Sequence, residues 1–273
     1  MKNAKLLSLL FIAFPVSMFA QKKNLRVVII SASNEYVSHI TLKEYKKSLE
    51  NNYSNIDVTL LQATGPVNDK DEFSTLEGTD ALKDCDVLLI FARRTTISGK
   101  ALDDIRQYVN SGKPFVALRT SSHGFQGWPD FDKTVLGGNY SGHYDGDPEE
   151  RKIGADGILY PVGEPSGPVQ QVTINPANKG HPILKGVSNF TSKYSLYKTS
   201  PIAGDAELLL TGTVPGGKEP VAWTRIHNGS RLVYIGLGGL QDWRNPNFIN
   251  LVTNSLFWTA DFKGKRIRRI TKK

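Results

Sequence analysis

"KPFVALRTSSHGF", residues 113–125, decides the fold. "KPFVAL" (113–118) is an uncharged apolar run after Lys113, of strand length. It breaks at once into Arg119, Thr120, Ser121, Ser122 and His123. A guanidinium, three hydroxyls and an imidazole follow directly on a buried strand, which is where α/β proteins place ligands. Three similar runs lie upstream: "LRVVIISAS" (25–33), "IDVTLLQAT" (56–64) and "DCDVLLIFA" (84–92). Between them, residues 38–53 and 98–112 repeat apolar residues at helical spacing, as with Leu102, Ile105 and Val109, and Gly112 stops the second helix. Continuous apolar strands alternating with helices predict a mainly parallel sheet covered on both faces.

Downstream the pattern changes. Residues 126–167 are rich in Gly, Asp, Tyr and Pro without periodicity and predict a long irregular functional loop. Strand-like runs resume at 169–176 and 206–213, with a short helical turn at 181–187. Residues 220–238 alternate on either side of Asn228–Gly229, a β-hairpin signature, and residues 245–261 form a closing amphipathic helix.

The ends are of another kind. Lys2 and Lys5 precede the 15-residue apolar run "LLSLLFIAFPVSMFA", which fits a secretory signal peptide over 1–20. That run is short of the roughly 20 residues of a membrane-spanning helix. The single cysteine, Cys85, forbids an intrachain disulfide and, at the head of an apolar run, reads as a buried structural thiol. Export without disulfides points to a Gram-negative periplasm or to secretion. The tail "KGKRIRRITKK" (263–273), together with Lys2 and Lys5, accounts for the whole net charge of +8, so the body between them is close to neutral. No basic face interleaved with aromatics appears there, and nucleic acid is not an expected partner.

Polar residues cluster just past each strand end. Asn34, Glu35 and His39 follow the first strand, Arg93 and Arg94 the third, Arg119, Ser121 and His123 the fourth, and Asp242 and Trp243 the hairpin. Convergence on one pocket is the expectation. His123 is too close in sequence to Ser121 and Ser122 for an in-line nucleophile pair, and no Gly-x-Ser-x-Gly elbow exists. It reads either as a substrate-facing acid/base or as a structural histidine. Tyr140 and His143 lie in a loop where Gly138 and Gly142 would let the backbone approach a ligand. His39, His123 and His143 are candidate ligands for a divalent metal such as zinc. "GLGGLQ" (236–241) lacks the last glycine and the acidic residue of a dinucleotide loop.

"SNEYVSH" (33–39), "ALRTSSHGF" (117–125), "LGGNYSGHY" (136–144), "HPILKGV" (181–187) and the hairpin with its sequel (220–248) together resemble the ThuA-like, trehalose-utilisation proteins of the class I glutamine amidotransferase-like superfamily. The resemblance spans most of residues 25–260. It implies a flavodoxin-like three-layer sandwich and a role in catabolism of disaccharides or their keto-sugar derivatives. Domain limits follow: leader 1–20, ThuA-like domain 21–262, basic tail 263–273. Amidotransferases carry their cysteine on the turn that is Arg119–Ser121 here, so thiolate-driven glutamine hydrolysis is excluded. Many ThuA-like members carry histidine where this chain has Arg119.

The expected protein is an exported carbohydrate-acting enzyme. His123, His143 and Arg119 would be its catalytic groups, Arg93 would orient oxygens, Glu35 and Asp242 would bind hydroxyls, and Trp243 would stack on a sugar ring. The rival reading is a carbohydrate-binding or scaffold protein without chemistry.

Overall fold

The computed structural model describes residues 24–65, 73–144, 150–153, 159–162, 165 and 167–262. The leader at 1–20 and the basic tail at 263–273 lie outside the described residues.

Four strands carry the parallel half of the fold: β1 (Leu25–Ala32), β2 (Ile56–Gln62), β3 (Val87–Ala92) and β4 (Phe115–Leu118). Helix α1 (Ser38–Asn52) follows β1, and α2 (Gly99–Asn110) follows β3. Side chains of one strand alternate between two cores. Val27 and Ile29 of β1 pack with Leu42 and Leu49 of α1, and Val28 and Ile30 pack with Leu102, Ile105 and Val109 of α2. Each such buried aliphatic side chain contributes about 1.5–3 kcal/mol. The closing helix α3 (Pro246–Thr259) shares the α1 side through Leu251 and Leu256. Helices therefore cover both faces, as the unbroken apolar strands predict.

The remaining strands are β5 (Glu150–Ile153), β6 (Leu159–Val162), β7 (Gln170–Ile174), β8 (Phe190–Ser192), β9 (Glu207–Val214), β10 (Gly217–His227) and β11 (Ser230–Ile235). β5 and β6 pair only with each other. The other nine strands form one sheet in the order β2-β1-β3-β4-β11-β10-β9-β7-β8. Pairs from β2 to β11 are parallel, and those from β11 to β8 are antiparallel. The sheet is mixed, which corrects the expectation of a mainly parallel one. The reason is local: parallel neighbours need long crossovers, whereas β10 and β11 are joined by Asn228 and Gly229 at φ 47° and 81°. Residues 126–167 also hold more structure than expected, namely a π-helical turn (Phe131–Leu136) and the β5–β6 pair.

Cys85 is buried, and its thiol donates to the Val87 carbonyl at 2.9 Å. Burial pushes its pKa up, which makes it an inert structural thiol. Among the described residues no helix is long and apolar enough to cross a membrane.

Candidate functional site

Three of the parallel strand ends share an unusual backbone. Val37 after β1, Arg94 after β3 and Arg119 after β4 have φ of 46°, 43° and 39°. Residues with side chains adopt this left-handed region at a cost, and such strain gathers at functional sites. Hydrogen bonds hold the turns together. Arg94 N–H donates to the His123 carbonyl (3.0 Å) and Thr95 N–H to that of Gly124 (2.7 Å). Ser121 Oγ donates to the Ile90 carbonyl (3.0 Å) and accepts from Ala92 N–H (3.2 Å). Ser121 is thus a fully buried clasp between β3 and the turn after β4.

Arg119 points inward. Its side chain is fully buried, with the guanidinium 4.5 Å from the ring centroids of both Tyr36 and Tyr197, and 5.5 Å from that of Tyr194. It donates to Tyr36 Oη (3.0 Å), to the Ser195 carbonyl and Oγ (both 3.3 Å) and to the Gly236 carbonyl (3.2 Å). Burial works against its charge, but Tyr36 and Tyr197 outweigh it and hold the guanidinium protonated. The residue that opens the turn after β4 is a cation in an aromatic box.

Beside this box lies a cavity of about 450 Å³, whose walls include Arg94, His123, Trp128, Asp132, Asn139 and Tyr140. The His123 ring stacks on Tyr140 at 4.3 Å and 19° and also meets Tyr197 at 5.9 Å. Its Nδ1 shares a hydrogen bond with Ser122 Oγ (3.1 Å). Burial, then the charges of Arg94, Arg93 and Arg119, push its pKa down to about 3. At neutral pH it is an uncharged imidazole, whose Nε2 donates or accepts a hydrogen bond according to the tautomer.

Other expected residues are placed differently. Glu35 and Arg93 form an ion pair with each other, both largely buried. Asn34 is fully buried, and its side-chain amide finds no hydrogen-bond partner among the described residues. Asp242 accepts from the N–H groups of Gly238 (3.0 Å) and Gly239 (2.9 Å), capping the turn after β11, and burial raises its pKa. Trp243 packs on Tyr45 and Phe248 and donates to the Gly238 carbonyl, so it fills the α1–α3 core and does not line the cavity. His39 lies in the first turn of α1. His143 is exposed, with Nδ1 3.0 Å from the Tyr144 carbonyl. Among the described residues no three His, Cys, Asp or Glu side chains are grouped to hold a metal ion, so the structure does not assemble His39, His123 and His143 into a ligand set.

Among the cavity residues that escaped the sequence reading are Trp128 and Asp132. Both sit in "GWPDFDKTVLGG" (127–138), and the signal that could have found them is the aromatic and acidic run closed by Gly137–Gly138.

A family model, ThuA, described as trehalose utilisation, matches residues 26–259. The chain belongs to the ThuA family. Among solved structures it is similar to a ThuA-like protein of Parabacteroides merdae, with TM-score 0.61 and 18% identity over 92% of this chain and 94% of that one. A ThuA-like protein of Bacteroides uniformis gives 0.58 and 18%, over 94% and 98%. A cold-adapted β-galactosidase of Rahnella sp. R3 gives 0.51 and 14%, over 89% of this chain and 32% of that one. At these identities the likeness shows the fold. None of the curated proteins matches. The inward orientation of Arg119 leaves His123 as the imidazole of the turn after β4.

Proposed function

We propose that this ThuA-family chain is an enzyme of carbohydrate catabolism that takes a disaccharide or keto-sugar derivative into the cavity beside His123. The observation that carries the reading is the composition of that cavity. A neutral imidazole stands among amide, guanidinium and aromatic side chains at the carboxyl ends of parallel strands. Sugars need hydrogen-bonding groups for hydroxyls and flat apolar surface for ring faces. Asn139 and Arg94 supply the first, and Trp128 and Tyr140 supply the second. Arg94 has no ion pair among the described residues, so its guanidinium is available to a substrate oxygen. His123 is the acid/base group. His143 lies near this site, its ring 6.4 Å from that of Tyr197. Glutamine amidotransfer is outside this chemistry, since no thiol lies on the turn. The leader-like residues 1–20 suit a protein that meets its sugar outside the cytoplasm, in the periplasm or beyond.

One observation favours a second reading, a binder without chemistry: Arg119, at the nucleophile turn, is wholly buried. Trehalose and a keto-trehalose, each incubated with the purified chain and followed by melting temperature and proton NMR, separate the two. A rise in melting temperature with conversion supports the enzyme. A rise with the sugar recovered intact supports the binder. No rise and no conversion with either sugar overturns the carbohydrate reading.

A further inference from the structure

Asp132 is presented with unusual care. It lies in the π-helical turn Phe131–Leu136, a geometry that is rare and frequent at functional sites. The turn is pinned from the sheet: Trp223 Nε1–H donates to the Leu136 carbonyl (2.8 Å) and Arg225 Nη1–H to that of Val135 (3.2 Å). The chain then doubles back. Gly137 and Gly138 N–H donate to the Asp132 carbonyl at 2.8 and 3.2 Å, and Tyr140 N–H donates to its Oδ2 at 2.7 Å. Gly138 is needed for the wrap, because a Cβ there would stand 2.5 Å from Oδ1. Asp132 as a whole is 8% exposed and lines the cavity beside His123 and Tyr140, while its Oδ1 is buried without a hydrogen-bond partner among the described residues. No Lys or Arg pairs with it among the described residues, although Arg94 and Lys133 line the same cavity.

A buried carboxylate with no counter-cation and one unsatisfied oxygen weakens a fold. A group retained in that state, inside a cavity, is one held for a ligand. We propose that Asp132 is a catalytic residue of the cavity, the carboxyl that carries the substrate's proton. In the ionised form it takes the proton of a substrate hydroxyl: the substrate O–H bond breaks, its electron pair stays on the substrate oxygen, and a carboxyl O–H forms. The reverse transfer delivers that proton to the departing oxygen and restores the carboxylate, so no oxidant or reductant is consumed. Tyr140, fixed by the same carboxyl, keeps its ring on His123 and sets the two groups side by side. Burial, only partly offset by the Tyr140 N–H, raises the Asp132 pKa to about 6, close to the working pH of a proton carrier. The charged and titratable groups around it are His123, Tyr140, Arg94, Asp130 and Lys133 at the cavity, with Tyr234 of β11 and Arg225 of β10 behind.

The identity of the substrate rests on the carbohydrate reading, but the placing of Asp132 does not, and Asp132→Asn separates them. Asparagine keeps an oxygen for the Tyr140 N–H and removes the charge. The ionised carboxyl disfavours the fold increasingly as pH rises from about 4 through 6, and fully above that. Melting of the variant at pH 8 is therefore expected roughly 5 °C above wild type, with little difference at pH 4. Conversion of trehalose or keto-trehalose is expected to fall roughly 100-fold with its thermal shift retained. A variant less stable than wild type at both pH values, or one that converts the sugar at the wild-type rate, overturns the role of Asp132. A gain at pH 8 with no sugar response in wild type overturns the carbohydrate reading and supports Asp132 acting on another ligand.

Discussion

His123→Ala is expected to lower conversion of the sugar roughly 100-fold or more, with a melting temperature only slightly below wild type. The imidazole is half-buried, and its structural contribution is a stack on Tyr140 and a hydrogen bond to Ser122. Such a ring pair is worth about 0.5–1.5 kcal/mol beyond its buried area. Its chemical contribution is a neutral acid/base at the cavity wall. With its pKa near 3, His123 stays uncharged from pH 5 to 8 and creates no activity limb there. The acid limb belongs to Asp132, near pH 6, with activity lost as pH falls and the carboxylate takes its proton. Rates across pH 4.5–8.5 check this. An alanine variant as fast as wild type removes His123 from the chemistry.

The largest expected loss of stability comes from Arg119→Ala, about 3–5 kcal/mol. The substitution empties a fully buried volume among Tyr36, Tyr194 and Tyr197 and strips donors from the carbonyls of Gly236 and Ser195. Buried acceptors left without partners cost more than the original hydrogen bonds contributed. Arg119→Met restores much of the volume but not the donors, so its loss should be smaller. Urea denaturation with an unchanged m-value measures both. A loss below about 1 kcal/mol for the alanine variant would mean that the aromatic box closes without the guanidinium.

The parallel half was readable because its chemistry is local. β1, β3 and β4 are buried on both faces and so appear as unbroken apolar runs, and Leu102, Ile105 and Val109 mark the buried face of α2. The hairpin was readable from Asn228–Gly229. The order of the antiparallel half was not, since β7 reaches β9 through pairing between distant segments, and β8 is three residues long. At the site, position was readable and direction was not. The strand ends do carry the polar residues, but the left-handed backbone at Arg119 turns that side chain into the core, and Trp243 packs between Tyr45 and Phe248. Asp132 stayed hidden because its π-helical turn depends on Trp223 and Arg225, more than 85 residues further along the chain.

A crystal structure of the Asp132→Asn variant with trehalose or keto-trehalose tests the central claim most directly. The predicted result is a sugar in the cavity, one ring face against Trp128 or Tyr140, a hydroxyl at residue 132 and an oxygen within hydrogen-bond reach of His123 Nε2. A sugar bound elsewhere on the chain, with this cavity holding only solvent, would contradict it.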